Sequence, residues 1–164
     1  MTLSMPPESS RVLSAARSRR LARFPVRTDL LGLTVRGEQL HVTTPRGPLP
    51  LYRFTPLQAA VLCGERVPYA AEWPEHMKLF LYRYQPLPTL PHATGPYAAQ
   101  LGTQPRDPHG LRPWDQSTYG GWPLYLFLHD QPGAAAAGEV ADLFEVVLVG
   151  QPTLPPSGAR GHGP

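Results

Sequence analysis

Histidine and acidic side chains are the groups of this chain that could bind a metal ion. Six histidines are scattered along the sequence: His41, His76, His92, His109, His129 and His162. No two of them have the short spacing typical of paired zinc ligands. The densest group of possible ligands is His129-Asp130 with Glu139 and Asp142, of which His129, Asp130 and Glu139 are the candidates. Because a metal site needs several ligands that converge on one point, these three residues are only an alternative metal site, and no cofactor is predicted.

Cys63 is the one cysteine of the chain, which excludes an intramolecular disulfide. As a nucleophile its thiolate would need a paired base, and the nearest histidine in the sequence is His76. We expect instead a buried, unreactive thiol, with a redox activity around Cys63, His129 and Asp130 as the alternative. The sequence also has no Gly-x-Ser-x-Gly elbow, no phosphate-binding glycine loop and no zinc-protease His-Glu pair. It predicts that the protein is not an enzyme.

The sequence contains a repeated pattern, Pro-Leu-Tyr-x-Phe, in two segments that are predicted to be strands. It occurs at residues 50–54 and again at 123–127, and each copy follows a turn that contains glycine, Gly47 in the first and Gly120-Gly121 in the second. A pattern that recurs at wide spacing indicates a duplicated structural unit. Since alternate side chains of a strand face opposite sides, the second copy has two apolar faces and is predicted to be covered on both. Arg53 replaces Leu126 in the first copy, which predicts one face on the core and one in water.

The second copy continues into an acidic residue, and Tyr125-x-Phe127-x-x-Asp130 resembles the Tyr-x-[Phe/Trp/Tyr]-x-x-Asp motif of the bacterial secreted-repeat lipoproteins, a family of unknown function. The first copy resembles the opening repeat of that family, although Leu57 stands where its acidic residue would be. The resemblance covers roughly residues 38–149. The matching positions are Tyr52, Phe54, Trp73, Pro74, Tyr119, Gly121, Pro123, Leu124, Tyr125, Phe127 and Asp130.

This resemblance implies a non-enzymatic binding or structural module that acts at the bacterial cell envelope or outside the cell. We expect the motif residues to serve the fold, because a carboxylate after a strand commonly accepts backbone N–H bonds and a buried tyrosine hydroxyl usually finds a partner. The chain shows neither a signal peptide nor a lipobox cysteine. An intracellular binding protein is therefore the alternative.

The charge of the chain is concentrated in its first residues. Residues 1–29 contain six arginines against Glu8 and Asp29, whereas the remainder is close to neutral. Residues 11–27 could therefore dock on an anionic partner. No aromatic residues alternate with these arginines, so the sequence gives no convincing nucleic-acid site. No stretch is long and apolar enough to span a membrane.

The 22 prolines favour short strands and turns over long helices. We predict a mainly β chain with a single small antiparallel domain, one or two short helices and flexible termini. The expected parts are an Arg-rich leader (1–28), a domain (29–150) and a disordered tail (151–164). The domain divides into repeat one (38–84), a Pro-rich surface connection (85–97) and repeat two (98–150). Local patterns predict a hairpin turning at Gly37, a helix after Thr55-Pro56, an aromatic strand over 78–84, a brief helix within 131–139 and a last strand over 143–149.

Overall fold

Ten short strands form three antiparallel sheets in the residues that the computed structural model describes, which are 25–63, 79–80, 82–91 and 97–155. The mainly β class is therefore confirmed. The first sheet has the order β1-β2-β3, the second β10-β4-β9-β5 and the third β6-β7-β8. The strands are β1 (Gly32–Arg36), β2 (Gln39–Thr44), β3 (Gly47–Pro50), β4 (Tyr52–Phe54), β5 (Tyr84–Pro86), β6 (Leu101–Gln104), β7 (Gln116–Tyr119), β8 (Trp122–Pro123), β9 (Tyr125–Phe127) and β10 (Phe144–Val146). A helix α1 (Pro56–Cys63) and a 3-10 turn (Ala98–Gln100) complete the described elements.

The first hairpin turns at Gly37, as predicted, and pairs Arg36 with Gln39. Gly37 has a φ of 62°, in the left-handed region that glycine adopts at little cost. The predicted helix also begins at Pro56, where a missing N–H costs nothing because the first helical N–H groups have no partner within the helix. These two elements are set by local chemistry.

The central sheet joins the two copies of the repeated pattern. Tyr52 of β4 lies directly opposite Tyr125 of β9 in antiparallel register. The outer strands cross over, because β5, which comes after the first copy, pairs with β9, and β10, which comes after the second copy, pairs with β4. Each half of the fold therefore receives its closing strand from the other half.

A ring of three backbone hydrogen bonds marks the junction of strands in the first half. The Leu51 N–H donates to the Leu40 carbonyl, the Leu40 N–H to the Val147 carbonyl, and the Val147 N–H to the Leu51 carbonyl, at 3.2, 2.8 and 2.8 Å. This ring closes β2, β4 and the end of β10 on one another. All three residues are fully buried.

The same ring occurs in the second half. Leu124 donates to Ser117, Ser117 to Leu87, and Leu87 to Leu124, at 3.0, 2.7 and 2.9 Å. Even the isolated bridges correspond, since Gln39 pairs with Leu148 and Gln116 with Pro88. The backbone arrangement of β1–β4 with β10 is thus repeated by β6–β9 with β5, and we call these arrangements half one and half two.

The interior has an aliphatic and an aromatic part, which meet at β9. Leu124 and Leu126 belong to the aliphatic core, whereas Tyr125 and Phe127 pack in the aromatic cluster with Tyr52, Tyr84 and Phe144. The prediction of two covered faces is confirmed for β9. The same alternation predicts that Leu128 is covered together with Leu124 and Leu126. This is wrong, because the strand ends at Phe127, the chain turns and Leu128 is 55% exposed.

The predicted aromatic strand over 78–84 is wrong. Leu79 and Phe80 are helical, the Arg83 N–H donates to the Phe80 carbonyl in a turn, and the strand starts only at Tyr84. The turn brings the rings of Phe80 and Tyr84 to 5.5 Å, and Tyr82 remains 40% exposed. Packing of these two rings thus outweighs the strand propensity of the alternating aromatic residues.

The connection over 85–97 does not run along the surface in its described part. Pro86, Leu87, Pro88 and Leu90 are buried. The carbonyl of Pro86 accepts from the Trp114 indole at 3.1 Å, and that of Pro88 from the Ser117 hydroxyl at 2.7 Å. Prolines fit here because β5 is an edge strand and they need to supply only acceptors.

Two further expectations differ from the structure. Residues 131–139 contain no helix and form turns and bends. The packed part of the chain extends to Pro155, beyond the boundary predicted at 150, because Leu154 and Pro152 are hydrogen-bonded to half two. No helix among the described residues has the length and hydropathy needed to cross a membrane. Residues 1–24 and 156–164, most of the predicted leader and tail, lie outside the described residues.

Candidate functional site

The acidic residue of the repeated motif is bonded to the tyrosine of the other copy. The Tyr52 hydroxyl donates to Asp130 Oδ2 at 2.6 Å, across 78 residues of sequence. Tyr52 is fully buried, and Asp130 is 9% exposed. Hydrogen bonds to a charged acceptor are shorter and stronger than neutral ones, which agrees with this distance.

A loop after Asp130 folds back over this pair. The Ala137 N–H donates to Asp130 Oδ1 at 2.8 Å, and the Gly138 N–H donates to the Tyr52 hydroxyl oxygen at 2.9 Å. The Tyr84 hydroxyl donates to the Gly138 carbonyl at 2.7 Å. We call these five residues, Tyr52, Tyr84, Asp130, Ala137 and Gly138, the Tyr-Asp lock.

Burial and charge keep both tyrosines of the lock protonated. Burial, reinforced by the hydrogen bond to Asp130, raises the pKa of Tyr52 far above its ordinary value. Burial also raises the pKa of Tyr84, and the nearby Asp130 carboxylate adds to that rise. Both hydroxyls therefore act as hydrogen-bond donors, and neither is prepared to act as a base near neutral pH.

Gly138 is the closest-packed point of the lock. A Cβ at this position would lie 2.7 Å from Cγ of Phe127 and 2.9 Å from Cζ of Tyr52. The Tyr52 ring meets those of Tyr84 and Phe127 edge-on, at 6.1 and 6.3 Å between centroids. Tyr84 in turn stacks on Phe144 at 3.6 Å. Only glycine allows the loop to reach the buried hydroxyls.

The other motif residues lie at several places in the fold. Phe54 packs against Phe144, Leu124 is in the aliphatic core, and Pro123 pairs with Thr118 in the third sheet. Tyr119 is the last residue of β7, and Gly121 lies in the turn between β7 and β8. Trp73 and Pro74 lie outside the described residues.

Tyr125 differs from its counterpart Tyr52. Its ring packs edge-on against Phe144 at 5.7 Å. Its hydroxyl forms no hydrogen bond with any described residue. The motif tyrosines are thus paired in register but unequal in their polar contacts.

The alternative metal ligands are not brought together in the described part of the chain. No three His, Cys, Asp or Glu side chains there form a group that could hold a metal ion. Both carboxylate oxygens of Asp130 accept hydrogen bonds within the lock, and His129 packs its ring edge-on against Phe127 at 5.4 Å. The side chain of Cys63 lies outside the described residues.

Three members of the lock, Tyr84, Ala137 and Gly138, were not expected from the sequence. Tyr84 stood within a predicted aromatic strand, but nothing in the order of residues set it apart from Tyr82. Gly138 comes after four alanines in a stretch that resembled a loop or short helix. The available signal was the combination of an acidic residue with a downstream glycine, which is too common to be specific.

An open cleft of about 520 Å³ lies between the hairpin at Gly37 and residues 133–136 of the loop that follows Asp130. It is lined by Arg36, Glu38, His41, Leu148 and residues 133–136 among others. Arg36 Nη1 donates to the Gly133 carbonyl at 3.2 Å and thereby joins the two walls. The cleft is within the size range of small-molecule sites.

His41 forms the most buried polar part of this cleft. Its Nδ1 lies 3.1 Å from the Gln39 carbonyl, which can only accept, so Nδ1 carries the proton. Burial lowers the pKa of His41, and the Arg36 charge acts in the same direction. The neutral imidazole therefore keeps Nε2 as its acceptor nitrogen.

No family model, curated protein or solved structure matches the chain.

Proposed function

We propose that the protein is a non-enzymatic binding or structural module of the secreted-repeat type that acts at the bacterial cell envelope. The observation that carries this proposal is the bond from Tyr52 to Asp130, because it uses the motif's polar groups inside the core. Groups engaged in this way hold the fold together and are not directed toward a substrate. The repeated ring of backbone hydrogen bonds supports an origin by internal duplication.

The binding role is assigned to the cleft beside the lock. Its walls come from the hairpin at Gly37 and from residues 133–136, so both depend on the fold that the lock stabilises. Arg36 supplies a cation, Glu38 an anion, and His41 a neutral acceptor. This mixture suits a small polar ligand with both donor and acceptor groups.

Replacement of the motif carboxylate tests the structural role. Asp130→Asn replaces one carboxylate oxygen with an N–H₂ group, so one of the two donors that now point at Asp130 would face another donor. We therefore expect the free energy of unfolding to fall by roughly 1–3 kcal/mol. Asp115→Asn is the matched control, since its side chain is exposed. Urea denaturation of both variants measures the difference. Equal stability of Asp130→Asn and the unaltered protein would contradict the proposal, because a residue held for catalysis can be replaced without loss of stability.

Location in the cell tests the envelope assignment. We expect fractionation of cells that make the protein from its own gene to place it with the envelope or the medium. A cytosolic marker enzyme, assayed in the same fractions, controls for lysis. Recovery of the protein with that marker would contradict the envelope assignment and leave the structural role of the lock unaffected.

A second candidate function is docking of the Arg-rich leader on an anionic partner. The observation that favours it is the six arginines of residues 1–29. Arg27 is already paired with Asp29 by two hydrogen bonds of 2.9 and 2.6 Å, so the charge available for a partner lies upstream. We expect the full chain to be retained on heparin at low salt and a chain without residues 1–24 to pass through. Equal retention of both would exclude the leader as the docking segment.

A further inference from the structure

The chain after β10 crosses the turn between β7 and β8. We call residues 149–155 the strap, and Tyr119, Gly120, Gly121 and Trp122 the strap site. The Trp122 indole N–H donates to the Pro152 carbonyl at 2.9 Å, and the Leu154 N–H donates to the Gly120 carbonyl at 2.8 Å. Closer to β10, the Tyr119 hydroxyl donates to the Val149 carbonyl at 3.1 Å. The contacts are thus directed at the backbone of the strap.

The two glycines of the strap site give the strap its seat. Both have positive φ, 55° at Gly120 and 85° at Gly121. A Cβ at Gly121 would overlap the carbonyl oxygen of Leu154, and one at Gly120 would crowd the Thr153 methyl group at 3.3 Å. The absence of side chains here lets another backbone approach closely.

The strap lies over buried residues but is itself largely exposed. Tyr119 and Trp122 are each 1% exposed beneath it. In contrast, Pro152, Thr153 and Pro155 are exposed. None of the strap's residues is buried, and the hydrogen bonds from Tyr119 and Trp122 to the strap are only part-buried. A segment with so few buried groups opens at a lower free energy than the core does. The strap site therefore belongs to the stable core, whereas the strap can detach at a lower free energy.

The strap also has the chemistry of a peptide ligand. Gln151 and Leu154 each precede proline, which restricts both to extended conformations. Extended proline-containing peptides lose little conformational entropy on binding, and they dock in grooves lined by aromatic residues. A Trp indole and a Tyr hydroxyl that donate to peptide carbonyls form such a surface.

We propose that the strap site recognises an extended x-Pro-x-Leu-Pro segment of a partner protein, and that the chain's own strap occupies it until the partner displaces it. The site belongs to half two alone. In half one, Leu49 stands directly before Pro50 as Trp122 stands before Pro123, and leucine offers no side-chain donor. The proposal concerns a surface apart from the Tyr-Asp lock and the cleft, and its test is independent of theirs.

The test uses a fluorescein-labelled peptide with the sequence Val-Gly-Gln-Pro-Thr-Leu-Pro and the full chain. Leu154→Pro in the protein removes the N–H that donates to Gly120 but leaves the strap site unchanged. Because loss of one hydrogen bond weakens the internal competitor, we expect this variant to bind the peptide about tenfold more tightly than the unaltered chain does. Fluorescence anisotropy measures both affinities.

Two controls restrict the interpretation. A peptide with the same Leu→Pro change should bind each protein about tenfold more weakly than the original peptide does. Gly121→Ala added to the Leu154→Pro chain should abolish binding, because its Cβ would overlap the carbonyl oxygen at position 154. The proposal would be overturned if the unaltered and Leu154→Pro chains bound the peptide with equal affinity. It would also be overturned if neither chain bound it. Formation of a dimer by the unaltered chain, with its strap in a second copy, would overturn the assignment to a partner protein.

Hydrogen exchange of the unaltered chain keeps the proposal testable if Leu154→Pro does not fold. We expect the Trp122 indole N–H, which donates to Pro152, to exchange by local opening. It should then exchange faster than the Leu40 amide of the core ring and with little dependence on added urea. Exchange of both groups only on global unfolding would show that the strap is a permanent part of the core, and would overturn the proposal.

Discussion

The two halves of the molecule have the same backbone arrangement and different polar contacts. In half one the Tyr52 hydroxyl is bonded to Asp130 and Gly138, whereas in half two the Tyr125 hydroxyl has no bond to a described residue. The backbone rings of hydrogen bonds are nevertheless equivalent in both. The strand arrangement therefore does not depend on the polar motif being complete in each copy.

The difference arises from the path of the chain after each motif strand. After Phe127 the chain makes a turn, with the Asp130 N–H donating to the Phe127 carbonyl, and the carboxylate then points to Tyr52. After Phe54 the chain enters α1 at Pro56, and the position equivalent to Asp130 is Leu57 in the first turn of that helix. The polar contact is thus a property of one loop, added to a fold that both halves share.

Gly138→Ala should give the largest effect, because it closes the one point at which the loop reaches Tyr52. The new Cβ would collide with the rings of Phe127 and Tyr52, so the loop must withdraw and the bonds of Gly138 are lost. We expect the free energy of unfolding to fall by roughly 2–4 kcal/mol. Chemical denaturation of Gly150→Ala, whose Cβ would meet nothing within 4 Å, is the control. A stable Gly138→Ala would mean that the loop contributes little to half one.

Removal of one hydroxyl from each half tests the asymmetry directly. Tyr52→Phe leaves a buried carboxylate oxygen and the Gly138 N–H without a partner, and should cost roughly 1–3 kcal/mol. Tyr125→Phe removes no hydrogen bond to a described residue and should change the stability by less than about 0.5 kcal/mol. The midpoints of urea unfolding measure both. Equal losses would show that the two tyrosines are equivalent after all.

The repeated pattern in the sequence anticipated the centre of the fold but not the connections around it. The Pro-Leu-Tyr-x-Phe segments became β4 and β9 because their alternation suits strands with apolar faces. The hairpin at Gly37 and the helix at Pro56 came from local backbone chemistry. Nothing local states that β5 and β10 exchange halves, since that pairing depends on contacts between distant segments.

The candidate site was anticipated in the identity of Asp130 but not in the identity of its partners. A carboxylate after a strand was expected to accept backbone N–H bonds, and Asp130 does accept one from Ala137. Its stronger partner, Tyr52, lies in the other copy, and sequence order contains no information on such a distance. The strap was also missed, because a Pro- and Gly-rich ending is typical of disorder until a turn with space for its backbone is known.

We expect the loss of stability at acid pH to come from half one, because it contains His41. His41 lies opposite Pro50 in half one, at the place where half two has Thr118 opposite Pro123. Because burial lowers the pKa of His41, the unfolded chain binds more protons than the folded one below about pH 6.5, and stability falls as the pH drops through that region. His41→Thr, which copies half two, should lose less stability between about pH 7.5 and 5, measured by urea unfolding at each pH. The same pH dependence in both proteins would remove His41 as its cause.

Two double-mutant cycles compare the carboxylate–tyrosine contact in the two halves. The smallest coupling energy is expected between positions 57 and 125. Asp130→Asn weakens the bond that Tyr52→Phe removes, so their effects should be coupled by about 0.5–3 kcal/mol. Leu57→Asp restores the motif acid of half one, but α1 begins at Pro56 and no turn like that before Asp130 directs position 57 to Tyr125. We therefore expect its coupling with Tyr125→Phe to stay within about 0.5 kcal/mol. Coupling as strong as in the first cycle would show that the missing carboxylate alone, rather than the path of the chain after the strand, distinguishes the two halves.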